Sequence, residues 1–197
     1  MTRSLESLFS ILSSERFLGM QGLANEVPIF IQTYDVEEED RVCKMIKTLT
    51  TRLRNAGIQA ADVDLFQLLL DELREEGLLN SLIEDEPSFD RADLFDTLKN
   101  YADPTSRLVP RLVRQMKAAD VRLTLLSGVG HIFPFLRAHT LLDSIQPIMM
   151  QHPVVLFFPG EYTQTDGLGS QLRLFGSLPS KGYYRAFNLD HYRIPSA

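Results

Sequence analysis

An open, mostly parallel α/β sheet flanked by helices is the fold class this sequence predicts, and three observations predict it. Two short runs, Val27–Ile31 and Pro153–Phe158, are almost continuously apolar, as strands buried on both faces are. Segments with helical spacing separate the runs that read as strands, and the repeating strand–helix order is the signature of a parallel sheet. Length and composition agree: 197 residues with 44% hydrophobic and 23% charged side chains suit one globular domain, residues 1–197, and exclude a disordered or fibrous chain.

Leu5, Leu8, Phe9 and Leu12 recur at i, i+3, i+4 and i+7, so the chain opens with an amphipathic helix, ended by Gly19 and Gly22. The strand at Val27–Ile31 is followed by the acidic cluster Asp35–Asp40, placed where a helix N-terminus favours negative charge. Val42, Met45, Ile46, Leu49 and Leu53 carry that helix to a stop at Gly57. Ala61–Leu65 reads as a second strand, and Phe66, Leu69, Leu70 and Leu73 as a helix stopped by Gly77. From about 78 to 118 the pattern is helical throughout, an insertion punctuated at Pro87–Ser88 and at Asp103–Pro104. The alternation then resumes. Val121–Leu126 is a strand, Gly128–Gly130 a tight turn, and Pro134 opens a helix through Leu142. Pro153–Phe158 is the strongest buried strand, ended by Pro159–Gly160, and Leu172–Phe175 and Tyr184–Leu189 close the sheet.

Charge is unevenly spread. Residues 62–103 hold 13 acids against 3 bases, a net charge of −10, whereas 1–61 carry −1 and 104–197 carry +5, within a total of −6. The insertion is therefore expected to show a solvated acidic face, or a docking surface for a basic partner, and such a dipolar molecule favours oriented docking. Bases are dispersed, with no run that tracks a phosphate backbone, so direct nucleic-acid binding is not expected. A lone cysteine, Cys43, excludes an intramolecular disulfide and fits a reducing compartment. No apolar stretch reaches 18 residues and no secretion signal opens the chain, so the expectation is a cytoplasmic protein without a membrane span.

Few residues carry chemistry. Gly128-Val129-Gly130, after a strand and before a helix, has the shape of an anion cradle, with Arg137 and Glu161 as its polar neighbours. Phe133 stands where a dinucleotide fingerprint wants a third glycine, and the chain lacks a Gly-Lys-Ser/Thr triplet. The alternative is a tight strand-to-helix turn. Arg137 at a helix start predicts a buried salt bridge to Glu26 or Glu161. The four histidines have no metal-ligand spacing, and no metal or cofactor is expected. Ser127, His131 and Glu161 are the one triple that could join in nucleophilic catalysis, and an α/β chain of this size offers such a triple by chance. Leu172-Arg173-Leu174-Phe175-Gly176 and Tyr183-Tyr184-Arg185-Ala186-Phe187 alternate arginine with aromatic and aliphatic residues. They suit either a face that grips another protein, through Arg137, Arg173, Tyr183, Tyr184 and Arg185, or an ordinary edge strand covered by arginine stems.

These segments, together with Asn25-Glu26-Val27-Pro28, Gly128-Val129-Gly130-His131-Ile132-Phe133-Pro134-Phe135-Leu136-Arg137 and Phe157-Phe158-Pro159-Gly160-Glu161-Tyr162, resemble motifs of the BrxB family of bacteriophage exclusion (BREX) systems, in family order along the whole chain. The segment Thr163–Gln171 departs from the family pattern as a longer, more glycine-rich loop. The resemblance implies a cytoplasmic component of an antiphage defence system, a non-catalytic assembly or adaptor subunit that binds the alkaline-phosphatase-like BREX protein, with other BREX components as further partners. The alternative is a regulatory subunit that binds a nucleotide or phosphate at the 128–130 turn.

Overall fold

The computed structural model describes residues 3–21, 27–147, 151–165, 169–179 and 186–192. Its centre is a parallel sheet of five strands in the order β2-β3-β4-β1-β7. These are β1 (Ile29–Tyr34), β2 (Ala60–Asp64), β3 (Leu123–Ser127), β4 (Val154–Thr165) and β7 (Phe187–Asn188). β1 and β4 lie inside the sheet, side by side with Ile29 opposite Val154 and Tyr34 opposite Pro159.

Covering both faces produces two cores. On one face α1 (Leu5–Leu12), α2 (Glu15–Leu18) and α3 (Glu39–Asn55) pack on Phe30, Tyr34, Leu123, Leu125, Val155 and Phe157. On the other, α4 (Leu65–Glu75), α7 (Val109–Ala118), α8 (Val129–Ile132) and α9 (Ala138–Ile145) pack on Ile29, Ile31, Leu126, Val154, Leu156 and Phe158. Alternate residues of one strand thus enter opposite cores, which is why the first halves of β1 and β4, Ile29–Ile31 and Val154–Phe158, read as unbroken apolar runs.

Local signals set the ends. Ser4 and Ser14 cap α1 and α2 through Ser7 N–H and Phe17 N–H, so the opening amphipathic stretch is two helices and not one. The acidic cluster lies where the dipole favours it: Asp35 caps a 3-10 turn at Val36–Glu38, and Glu39 and Asp40 fill the first turn of α3. Gly57 and Gly77 adopt φ of +81° and +72° just past α3 and α4.

Between β2 and β3 the chain is helical: α4, α5 (Leu79–Glu84), α6 (Arg91–Tyr101), and a π turn at Pro104–Leu108 that runs into α7. Part of the acid of α4 is paired with arginines further along the chain, although Glu75 stays solvated. Glu72, 8% exposed, pairs with Arg107 and Arg111, both Nη1···O contacts at 3.1 Å, and Arg111 also engages Glu75 with two N–H groups.

Three expected boundaries are corrected. Pro134 does not open a helix through Leu142. α8 ends at Ile132, a cis Phe133–Pro134 peptide follows, and α9 starts at Ala138. Pro159–Gly160 does not end β4, which runs on to Thr165 and pairs antiparallel with β5 (Gly169–Leu174), itself paired with β6 (Leu178–Pro179). Thr163–Gln171 is accordingly strand at both ends, with Thr165 opposite Gly169.

β2 is an edge strand. Its Ala60 carbonyl accepts a 2.9 Å hydrogen bond from Arg54 Nε, and burial raises the pKa of the half-buried Asp62 above the ordinary 3.8. His152, at 3.1 Å from Thr124 Oγ1, has its pKa lowered from 6.5 by burial, so the folded state favours the neutral ring. A lowered histidine contributes stability that is present above pH 6.5 and lost as pH falls through the folded value. Denaturant midpoints are expected to fall between about pH 8 and about pH 5.5 in the natural chain and to fall less in His152→Gln. Equal slopes for the two would refute this.

Candidate interaction surface

Three of the segments that carry the resemblance, 128–137, 157–162 and 172–176, meet at the C-terminal end of the parallel part of β4. Past Pro159 the strand leaves the parallel sheet and forms a hairpin with β5, with Gly160 opposite Leu174, Glu161 opposite Arg173 and Tyr162 opposite Leu172. Gly160, at φ +148°, permits this: a Cβ there would lie 2.1 Å from the Arg173 carbonyl oxygen and 3.0 Å from Phe175 N. The Phe175 N–H donates to the Pro159 carbonyl at 2.9 Å. From α8, a Cβ on Gly130 would meet Phe175 Cε1 at 3.0 Å and Pro159 Cγ at 3.2 Å, so that glycine lets the helix reach the hairpin. Phe133 stacks edge-on against Phe175 with centroids 6.2 Å apart, and the Tyr162 hydroxyl donates to the Ala186 carbonyl at 3.0 Å.

Alternation divides β5 between packing and presentation. Leu172 and Leu174 are buried in the second core, while Arg173 and Glu161 stand exposed on the hairpin. Leu178, on β6 opposite Leu174, is 40% exposed. A groove of about 510 Å³ separates the hairpin from the end of β1 and is lined by Tyr34, Asp35, Glu37, Gly160, Glu161 and Phe175. Below it the Tyr34 hydroxyl donates to Glu39 Oε2 at 2.7 Å. Burial raises the Tyr34 pKa, and the Glu39 carboxylate raises it further. Cys43 beside it is pushed up to about 11, first by burial and then by the Glu39 charge, so its thiol stays protonated and unreactive near neutral pH.

Arg137 does not form the expected buried salt bridge. It occupies the cap position of α9, is exposed, and enters no ion pair among the described residues. The break at Phe133–Pro134 places it on the surface, where water solvates the guanidinium that the helix dipole disfavours. Gly128, at φ +79°, packs on a carboxylate: a Cβ there would lie 2.5 Å from Asp64 Oδ1. Asp64 caps α4 through the Phe66 and Gln67 N–H groups at 2.8 and 3.0 Å. A fixed negative charge against the turn opposes an anion there. Ser127 is buried and His131 exposed, and no hydrogen bond joins them among the described residues. No group of three or more His, Cys, Asp or Glu among the described residues could hold a metal ion. Asn25, Glu26, Tyr183, Tyr184 and Arg185 lie outside the described residues.

Sequence reasoning missed the close approach at Gly160, which only its partner strand reveals. It also missed three exposed apolar side chains of the insertion, Ile83, Phe89 and Phe95. Helical spacing of Ile83 with Leu79 and of Phe95 with Leu98 could have flagged two of them, whereas Phe89 follows a 3-10 turn and carries no such signal.

The family model described as "BREX protein BrxB" matches residues 61–189, which hold α4 to α9, the hairpin and β7. The chain belongs to the BrxB family. A "BREX protein BrxB" of Bacillus cereus (strain H3081.97) is 31% identical over 189 residues, covering 94% of this chain and 95% of that relative. A second, of Escherichia coli O9:H4 (strain HS), is 28% identical over 195 residues, covering 98% and 93%. No solved structure matches the chain. BrxB proteins are components of BREX phage defence, so this chain is a phage-defence component. No helix among its described residues is long and apolar enough to cross a membrane.

Proposed function

We propose that the chain is a non-catalytic assembly subunit of a cytoplasmic BREX complex that binds the alkaline-phosphatase-like component. One observation carries this reading: three of the motif segments converge on a hairpin whose inner side chains are locked in a core while Arg173 and Glu161 face solvent. The inward positions of β5 are Leu172 and Leu174, so on that strand the polar side chain left free to meet a partner is Arg173. A planar guanidinium on a rigid strand suits protein recognition, since it loses little freedom on binding.

The test is co-purification of the tagged chain with the phosphatase-like component. Arg173→Ala and Arg137→Ala are expected to weaken the complex, with roughly 2 kcal/mol, about 30-fold in Kd, lost at a true anchor. Unchanged binding by both variants would move the contact off this surface. No complex with the natural chain would end the assembly reading.

A further inference from the structure

The insertion carries charge and apolar surface that the fold leaves unused. Across residues 79–101, which hold α5, a 3-10 turn at Glu86–Ser88 and α6, no residue is buried. Leu79, Leu82 and Leu98 pack partly against the second core, so one side of this arm is anchored. Beside these anchors Ile83 at 64% exposure, Phe89 at 39% and Phe95 at 37% remain open to solvent, three of the five exposed large apolar side chains among the described residues. An apolar patch rimmed by polar groups marks an interaction site.

The rim is acidic, with Glu84, Asp85, Glu86, Asp90, Asp93 and Asp96 against only Arg91 and Lys99, a net charge of −4. α4 next to it is neutralised from within, where Arg74 pairs with Asp71 and Arg107 and Arg111 pair with Glu72, Glu75 and Glu76. None of the arm's six carboxylates enters an ion pair among the described residues. Unpaired like charges repel one another, and a cationic surface laid against them relieves that cost.

We infer that the arm, residues 79–101, is a second docking element that takes a protein surface presenting apolar side chains flanked by lysine or arginine. The inference rests on the assembly reading and adds a surface to it. Phe95 contacts Phe135 at 5.6 Å between ring centroids, and Phe133, two residues before, contacts Phe175 of the hairpin. Arm and hairpin therefore flank the same short loop, within reach of one partner.

The experiment titrates the purified full-length chain with the purified phosphatase-like component across a salt series. One variant combines Glu86→Gln, Asp93→Asn and Asp96→Asn, sparing Asp90 because it caps α6 through Ala92 N–H. The other combines Ile83→Ser and Phe89→Ser, both on exposed positions. Thermal melts check that each remains folded. The charge variant is expected to bind roughly 10-fold more weakly at about 50 mM salt and to show a flatter salt dependence. The apolar variant is expected to lose roughly 10-fold or more at every salt concentration.

If both folded variants bind like the natural chain while Arg173→Ala binds weakly, the arm is not a docking element and the assembly reading stands. If the natural chain itself does not bind, both fall. Light scattering that shows a dimer of the natural chain, dissociated by the arm variants, would replace the basic partner with a second copy and overturn the assignment.

Discussion

Arg111→Ala is expected to cost about 3–5 kcal/mol of folding stability, the penalty for breaking a buried ion pair by removing one partner. Arg111 is 7% exposed and bridges two helices, donating to Glu72 at 3.1 Å and to Glu75 at 2.8 Å through separate nitrogens. Without it Glu72 remains buried with Arg107 as its remaining cationic partner, which puts the cost near the lower end. Denaturant unfolding measures it as a lower midpoint at unchanged slope. Arg111→Met combined with Glu72→Leu removes both charges and is expected to recover most of the loss. The pair also sets a pH dependence. The Arg111 hydrogen bond holds the Glu75 carboxyl below its ordinary 4.5, so that contribution is present above pH 4.5 and is lost as pH falls through the lowered value. Arg111→Ala should therefore flatten the acid limb of stability as well as lower it. A variant as stable as the natural chain would show that the bridge contributes nothing net.

Gly160→Ala is expected to be nearly as damaging, at about 3 kcal/mol, for a different reason. The added methyl group would occupy a point 2.1 Å from the Arg173 carbonyl oxygen, and the backbone φ of +148° is one that alanine rarely adopts. Overpacking and backbone strain each cost about 1–3 kcal/mol. The only relief is separation of β5 from β4, which would lift Leu172 and Leu174 out of the second core. Hydrogen exchange at the hairpin amides is expected to rise well before exchange at β1. On the proposed assembly role, binding of the phosphatase-like component should fall with it, because Arg173 would lose its platform. Protection unchanged at the hairpin would disprove the close-approach argument.

The legible parts of the fold are those governed by local pattern. β1 and β4 announce themselves because burial on both faces demands unbroken apolar runs, and α3 and α4 because their apolar stripes end at glycines with positive φ. What escaped depends on partners distant in sequence. Pro159–Gly160 has the composition of a stop, and only pairing with Gly169–Leu174 carries β4 through it. Pro134 has the composition of a helix start, yet Phe133 turns to meet Phe175 and the helix begins four residues later. Net charge along the chain likewise hides pairing. The acid of α4 meets arginines 35 to 39 residues further on, whereas the acid of the arm does not, and the same −10 contains both. At the candidate surface the motif residues were legible as a set, but which of them pack and which present follows only from the register of β5 against β4.

The margins of the sheet have a consequence for how the free chain behaves. A parallel sheet invites further strands at both sides, and an unguarded margin lets identical chains template one another into aggregates. On one side β7 is two residues long. On the other, Arg54 already occupies the Ala60 carbonyl, and any incoming strand would have to bury the half-sunk Asp62 carboxylate further against its own desolvation. Growth of the parallel sheet is therefore disfavoured at both margins, and the free chain keeps its hairpin and acidic arm exposed without polymerising through its core.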